Sequence, residues 1–246
     1  AYATFAVPTI PFYIFYSVFG FQRVGDMIWA SADMMTRGFL LGGTAGRTTL
    51  NGEGLQHQDG HSPILASTVP SVRTYDPAFA WELAILVCFG IQRMFVEDHD
   101  ELFYLMMYNE ALPMPARPAH EALDEGVVRG GYLLEPAAGD GPRVNLLGSG
   151  TILFEVMQAA ETLREEGYSV SVYSITSYIE LARDAERAEQ ADADPAWLDT
   201  IFPETDVPIV AATDYVRALP RMIASWINGP FMALGTDGFG ISERRS

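Results

Sequence analysis

Residues 144–175 read VNLLGSGTILFEVMQAAETLREEGYSVSVYSI. A short apolar run ends in Gly-Ser-Gly. Ile152, Val156, Ala159, Ala160 and Leu163 then fall on one helical face, and a second apolar-rich run, SVSVYSI, follows at 169–175. Apolar residues three and four apart mark a helix, and short runs bounded by glycine mark buried strands. A strand, helix and strand of these lengths form a βαβ crossover, whose two strands run parallel. Downstream the alternation continues with an acidic helical segment around 177–200, a strand at 207–212, a helix at 214–227 and a last strand, FMALG, at 231–235.

Upstream, the same alternation begins earlier. Residues 10–18, IPFYIFYSV, predict a strand buried on both faces. Residues 21–37 have helical spacing, with Val24, Ile28, Ala32 and Met35 on one stripe and Gly38 as a stop. FLL at 39–41 predicts a second strand, 64–68 a helical turn and 71–75 a third extended piece. Residues 77–95 predict a helix with Asp76 as N-cap and Pro77 in its first turn. LFYLMMY at 102–108 is another buried strand. Residues 109–142, which hold Pro113, Pro115, Pro118, Pro136 and Pro142, read as a linker. The predicted fold class is therefore α/β: two three-layer α/β units with mostly parallel sheets.

The totals set bounds on function. The chain has 246 residues, 49% of them hydrophobic, which is ample for packed cores. Its net charge of −17 argues against nucleic acid and anionic membrane surfaces, which need clustered positive charge. All 15 basic residues are arginine, so lysine chemistry is excluded within the chain. The single cysteine, Cys88, lies in the apolar run WELAILVCFG and is expected to be a buried small hydrophobe. That usage is compatible with a reducing cytoplasm. The first 22 residues carry no charge, yet Pro8 and Pro11 interrupt them, so a strand fits better than a membrane span. The start lacks an initiator methionine, and the expectation is a fragment.

Between the second and third predicted strands lies GGTAGRTTLNGEGLQHQDGH, residues 42–61, with six glycines in twenty residues. Glycine at that density marks a shaped loop. Three chemistries compete for it. Phosphate binding would need Gly-x4-Gly-Lys-Ser/Thr, but Arg47 stands in for the lysine and Gly42 to Gly46 is one residue short. A metal site, and with it a metal-dependent hydrolase, could use His57, Asp59 and His61, although the loop glycines oppose a helix that would align the two imidazoles. Polar recognition and proton handling by an imidazole that titrates near neutrality is the third. The bland alternative is that these loop histidines bond only to backbone, a reading that weighs more for His61 than for His57.

FYIFYSVFGFQRVGD (12–26), RGFLLGGTAGRTTLNGEGLQHQDGHS (37–62), YDPAFAWELA (75–84) and LGTDGFG (234–240) resemble the homodimeric type of pyruvate dehydrogenase decarboxylase component, within the transketolase-like group. The resemblance runs over nearly the whole chain. It implies the later part of a pyrimidine-binding middle domain over 1–115, a linker over 116–142, and a transketolase C-terminal-like domain, truncated, over 143–246. It implies oxidative decarboxylation of pyruvate with thiamine diphosphate and transfer of the acetyl unit to a lipoyl group on an acyltransferase component. Mg2+ and its ligands are expected outside this chain. A homodimer of the full-length subunit and a cytoplasmic location are implied as well.

By the same resemblance, Phe19 packs on the cofactor's aminopyrimidine, Tyr16 lines the pocket beside it, and His57 is the active-site histidine that positions pyruvate or its adduct. Arg23, Glu53, Asp59 and His61 are pocket candidates. Departures fall at Phe89, Ala111, Leu112 and Ile241, and leave His57 and Phe19 untouched. The isolated chain is expected to be inactive. The competing reading is a non-catalytic interaction or regulatory piece that keeps the fold.

Overall fold

Strand β1 (Phe12–Tyr16), β2 (Gly38–Gly43), β3 (Val72–Tyr75) and β4 (Leu102–Met106) form one sheet in the order β1-β2-β4-β3, every pair parallel. Between them run helices α1 (Phe21–Asp33), α2 (Ser62–Ser67) and α3 (Ala80–Ile91). The second sheet has the order β5-β7-β6-β8-β9, from β5 (Tyr132–Glu135), β6 (Arg143–Gly148), β7 (Ser169–Ser174), β8 (Ile209–Ala212) and β9 (Phe231–Leu234). Only β5 runs antiparallel in it. Its helices are α4 (Leu123–Arg129), α5 (Ile152–Glu165), α6 (Tyr178–Ala191), α7 (Trp197–Ile201) and α8 (Ala218–Arg221). This computed structural model describes residues 9–50, 53–119, 122–191 and 194–240. Pro8, Gly52 and Ile241, which figure in the sequence reading, lie outside the described residues.

The predicted crossover at 144–175 is β6, α5 and β7, with Val144 paired to Val170 and Leu146 to Val172. All six residues of β7 are buried, as are all five of β4. Each is a central strand covered on both faces, which is why its sequence reads as a nearly continuous apolar run. Leu153, Val156 and Ala160 form the buried face of α5.

Several expectations are corrected. β1 is an edge strand rather than one buried on both faces: Tyr13 is 61% and Ile14 66% exposed, because β2 alone pairs with it among the described residues. α1 ends at Asp33, and of its predicted stripe only Ile28 is buried. Met35 lies beyond the helix at φ 56°. α3 starts at Ala80 with Phe79 as its N-cap, and Glu82 reaches back to accept from the Ala78 and Phe79 N–H groups just before it, so Asp76 is not the cap. Cys88 is exposed, since it lies on the face of α3 turned away from the sheet. The stretch 116–142, read as a linker, contains α4 and β5, and β5 extends the second sheet. The helix expected at 214–227 is only the single turn α8 and a 3-10 turn at Ala224–Trp226. Pro220 lies inside it, and proline removes a helical donor.

The two sheets meet at their carboxyl ends. The Asp76 N–H, just past β3, donates to the Thr176 carbonyl just past β7 at 2.7 Å. The Gly150 N–H past β6 donates to the Asp76 carbonyl at 3.1 Å, and the Val216 N–H past β8 donates to the Gly60 carbonyl at 3.0 Å. Gly150 has φ +50° and sits against Tyr108 and Asp76, where a Cβ would collide with both. Only glycine takes that conformation at so close an approach.

Candidate functional site

The site grows from two turns that leave neighbouring strands of the first sheet at the same edge. β1 runs into a 3-10 turn, Ser17–Phe19, and β2 runs into the glycine loop, which reaches a second 3-10 turn at Leu55–His57. Parallel pairing of Tyr16 with Gly43 puts both exits side by side. In an open α/β sheet this carboxyl edge is where ligands bind.

There the rings gather. His57 stacks on Tyr16 with centroids 5.3 Å apart and planes 20° apart, and meets Phe19 edge-on at 6.0 Å. Tyr16 and Phe19 are themselves 5.9 Å apart, edge to face with planes 62° apart. The Arg23 guanidinium lies over the Phe19 ring at 5.4 Å. Nδ1 of His57 lies 3.1 Å from the Glu53 carboxylate and 3.1 Å from the Glu53 carbonyl oxygen, both within reach of a hydrogen bond. An Nδ1–H held there leaves Nε2 as the ring's proton acceptor. Tyr16 is exposed and Phe19 and His57 are half-buried, so this is an open aromatic shelf with a cation and a carboxylate beside it. Five of the seven residues singled out in the sequence, Tyr16, Phe19, Arg23, Glu53 and His57, are brought together.

The other two belong to the wall rather than the shelf. Asp59 is fully buried and accepts from Gln22 Nε2 at 2.8 Å and from the Ser17 hydroxyl. His61 is the N-cap residue just before α2, and its backbone N–H donates to Asp59 at 3.1 Å. Among the described residues no group of three or more His, Cys, Asp and Glu side chains is arranged to hold a metal ion.

The second unit bolts the glycine loop from behind. Asp214, past β8, accepts from the Arg47 N–H at 2.6 Å, the Thr48 N–H at 2.9 Å and the Thr48 hydroxyl at 2.6 Å. The buried Arg47 guanidinium donates to the carbonyls of Thr236 at 2.6 Å and Gly238 at 2.7 Å. Burial lowers its pKa, against the pull of Asp214 and Asp59. The arginine that stands where a P-loop has lysine is therefore an internal brace. Sequence reasoning missed Ser17, Gln22, Tyr108 and Asp214. The signal was available for Ser17, a lone polar residue inside an otherwise apolar strand exit.

Beside this brace lies a buried acid. Burial pushes the Asp76 carboxyl up to about 7, while hydrogen bonds from Tyr108 and Ser149 work against the shift and the nearby Asp214 and Glu82 add to it. Glu82 is likewise raised by burial, although Ser174, Tyr132 and two backbone N–H groups hold its carboxylate. Both acids lie where the two units meet, not on the shelf.

Residues 1–115 match the family described as the pyruvate dehydrogenase E1 component middle domain, and residues 130–246 match the transketolase-like C-terminal domain. The pyruvate dehydrogenase E1 component of Corynebacterium glutamicum is 49% identical over the whole chain, and that of Escherichia coli K12 is 45% identical. The chain spans 28% of the length of each. Among solved structures, transketolase from Campylobacter jejuni superposes with a TM-score of 0.69 at 16% identity, over 95% of this chain and 32% of that one. Transketolase from Leishmania mexicana gives 0.69 at 18% identity, over 95% of this chain and 30% of that one. At these identities the two transketolases speak for the fold alone.

Proposed function

We propose, for a chain that belongs to the pyruvate dehydrogenase E1 component family, that it forms the pyrimidine and substrate side of a thiamine-diphosphate site used to decarboxylate pyruvate. The observation that carries this reading is the shelf. Tyr16 and Phe19 from one turn and His57 from another converge with exposed ring surface at the carboxyl edge of a parallel sheet. A flat heteroaromatic ring fits such a surface by stacking. The Arg23 cation over the Phe19 ring suits an anionic partner.

Thiamine diphosphate, when bound, supplies the electron sink for loss of carbon dioxide from a 2-oxo acid. This chain's residues do the rest. Phe19 would pack against the aminopyrimidine ring, and Tyr16 would line the pocket beside it. Glu53 fixes the His57 tautomer, and Nε2 of His57 positions the substrate and accepts or returns a proton. Arg23 attracts the pyruvate carboxylate. The Asp214 and Arg47 brace keeps the glycine loop from drifting.

The magnesium ligands and the diphosphate site are assigned to parts of the subunit outside this chain. The acetyl unit passes to a lipoyl group of an acyltransferase component, and the working unit is a homodimer of the full-length protein. Supporting this last point, β1 and α1 expose the large apolar side chains of Phe12, Tyr13, Ile14, Met27 and Trp29, of the kind that protein partners cover. None of the described helices is long and apolar enough to cross a membrane.

The test uses the full-length protein. His57→Ala should abolish most pyruvate decarboxylation while thiamine diphosphate still binds with magnesium in a calorimeter, and Phe19→Ala should weaken that binding. Unchanged turnover in His57→Ala together with unchanged cofactor affinity in Phe19→Ala would remove the basis of the proposal.

A further inference from the structure

We infer that Asp59 is a positioning residue that sets the spacing between the aromatic shelf and His57; this rests on the functional reading above. Asp59 lies two residues after His57, and Ser17 lies one residue after Tyr16 and two before Phe19. The two turns meet through this one fully buried carboxylate. Its Oδ1 accepts from Gln22 Nε2 at 2.8 Å and from the backbone N–H groups of His61 at 3.1 Å and Ser62 at 3.0 Å. Its Oδ2 accepts from the Ser17 hydroxyl.

The network closes on itself. The Ser62 hydroxyl donates to Gln22 Oε1 at 2.8 Å and lies 3.2 Å from the Ser17 carbonyl oxygen. Ser17 Oγ also lies 2.9 Å from the Tyr104 hydroxyl, which rises from the fully buried middle of β4. Both turns are thus referenced to the same central strand. Bonds to an ionised acceptor are the strong ones, and linked buried bonds reinforce each other. Both carboxylate oxygens are engaged from inside the protein and neither reaches solvent. Asp59 therefore acts through Ser17 and the loop backbone, not by touching substrate.

The experiment compares Asp59→Asn, Ser17→Ala and His57→Ala in the full-length protein. The readouts are kcat, KM for pyruvate, cofactor affinity, and the ring-current shift that stacking on Tyr16 imposes on the His57 imidazole signal in cofactor-free, histidine-labelled protein. Asp59→Asn should lower kcat about a hundredfold, as a misplacement of about 1 Å does, with cofactor affinity changed less than about threefold. Its His57 signal should move toward the unstacked position. A folded Asp59→Asn protein with an unmoved His57 signal and kcat within about threefold of the parent overturns the inference. Should Asp59→Asn not fold, Ser17→Ala, which keeps three of the four donors, decides by the same readouts. Should His57→Ala stay active, the functional reading fails, and the His57 signal alone decides whether Asp59 sets the spacing.

Discussion

Asp76→Asn tests how the two units are joined. The carboxyl is buried where β3 ends against the second sheet, and its pKa rises from 3.8 to about 7, chiefly by burial. Between those two values the folded protein keeps the proton and the unfolded chain has lost it. The stabilising contribution is then complete below pH ~4 and declines as pH rises toward about 7, at about 1.4 kcal/mol per pH unit. Over that span of about three units the decline reaches about 4 kcal/mol, an upper figure because buried sites relax. Asparagine is neutral throughout and still offers an oxygen to the Tyr108 hydroxyl. Urea unfolding at pH 4, 5, 6 and 7 should give a parent stability that falls more steeply than that of Asp76→Asn. Glu82, whose charge adds to the Asp76 shift, is kept neutral by making the comparison in a Glu82→Gln background, and groups that do not interact with Asp76 cancel in the difference. Parallel curves across the range would refute the reasoning, since Asp76 would then ionise alike in both states.

Gly150→Ala should lose at least about 2 kcal/mol in the same unfolding assay, because it adds a Cβ at φ +50° against the Tyr108 hydroxyl. Adding Tyr108→Phe should return part of that loss, and no recovery would point to the backbone angle alone. Glu82→Ala strips the acceptor from the Ala78 and Phe79 N–H groups and from the Tyr132 and Ser174 hydroxyls. It should cost at least about 3 kcal/mol, and Glu82→Gln less, because the amide oxygen still serves two donors. An alanine variant as stable as the glutamine variant would show that these donors find other acceptors.

The alternation of strands and helices was legible because each period has its own spacing, and 144–175 carries both within one crossover. Tyr16, Phe19 and His57 were legible through a resemblance, and the structure brings them together. What stayed hidden depends on contacts distant in sequence. Asp76 before Pro77 has the local form of an N-cap, yet the Thr176 and Gly150 backbones claim it from the second unit. Arg47 looked like a displaced P-loop cation, and only the carbonyls of Thr236 and Gly238 reveal it as a brace. β1 has the composition of a central strand but holds an edge, because composition records what a strand can pack against, not whether that partner lies within these residues.

The meeting of the two sheets at their carboxyl ends divides the loops into two kinds. Those that leave strands at that end are shared between the units, so changing the length of one must displace the other. Of the loops that enter strands at the opposite end, the one before β3 is also shared, since Arg183 of α6 donates to the Ser67, Val69 and Val72 carbonyls, whereas those before β6 and β7 lie within the second unit. Gly139 precedes β6 and Gly167 precedes β7, both at positive φ and with open space around them. Tags, probes or additional segments belong there, at the end of the sheets away from the aromatic shelf.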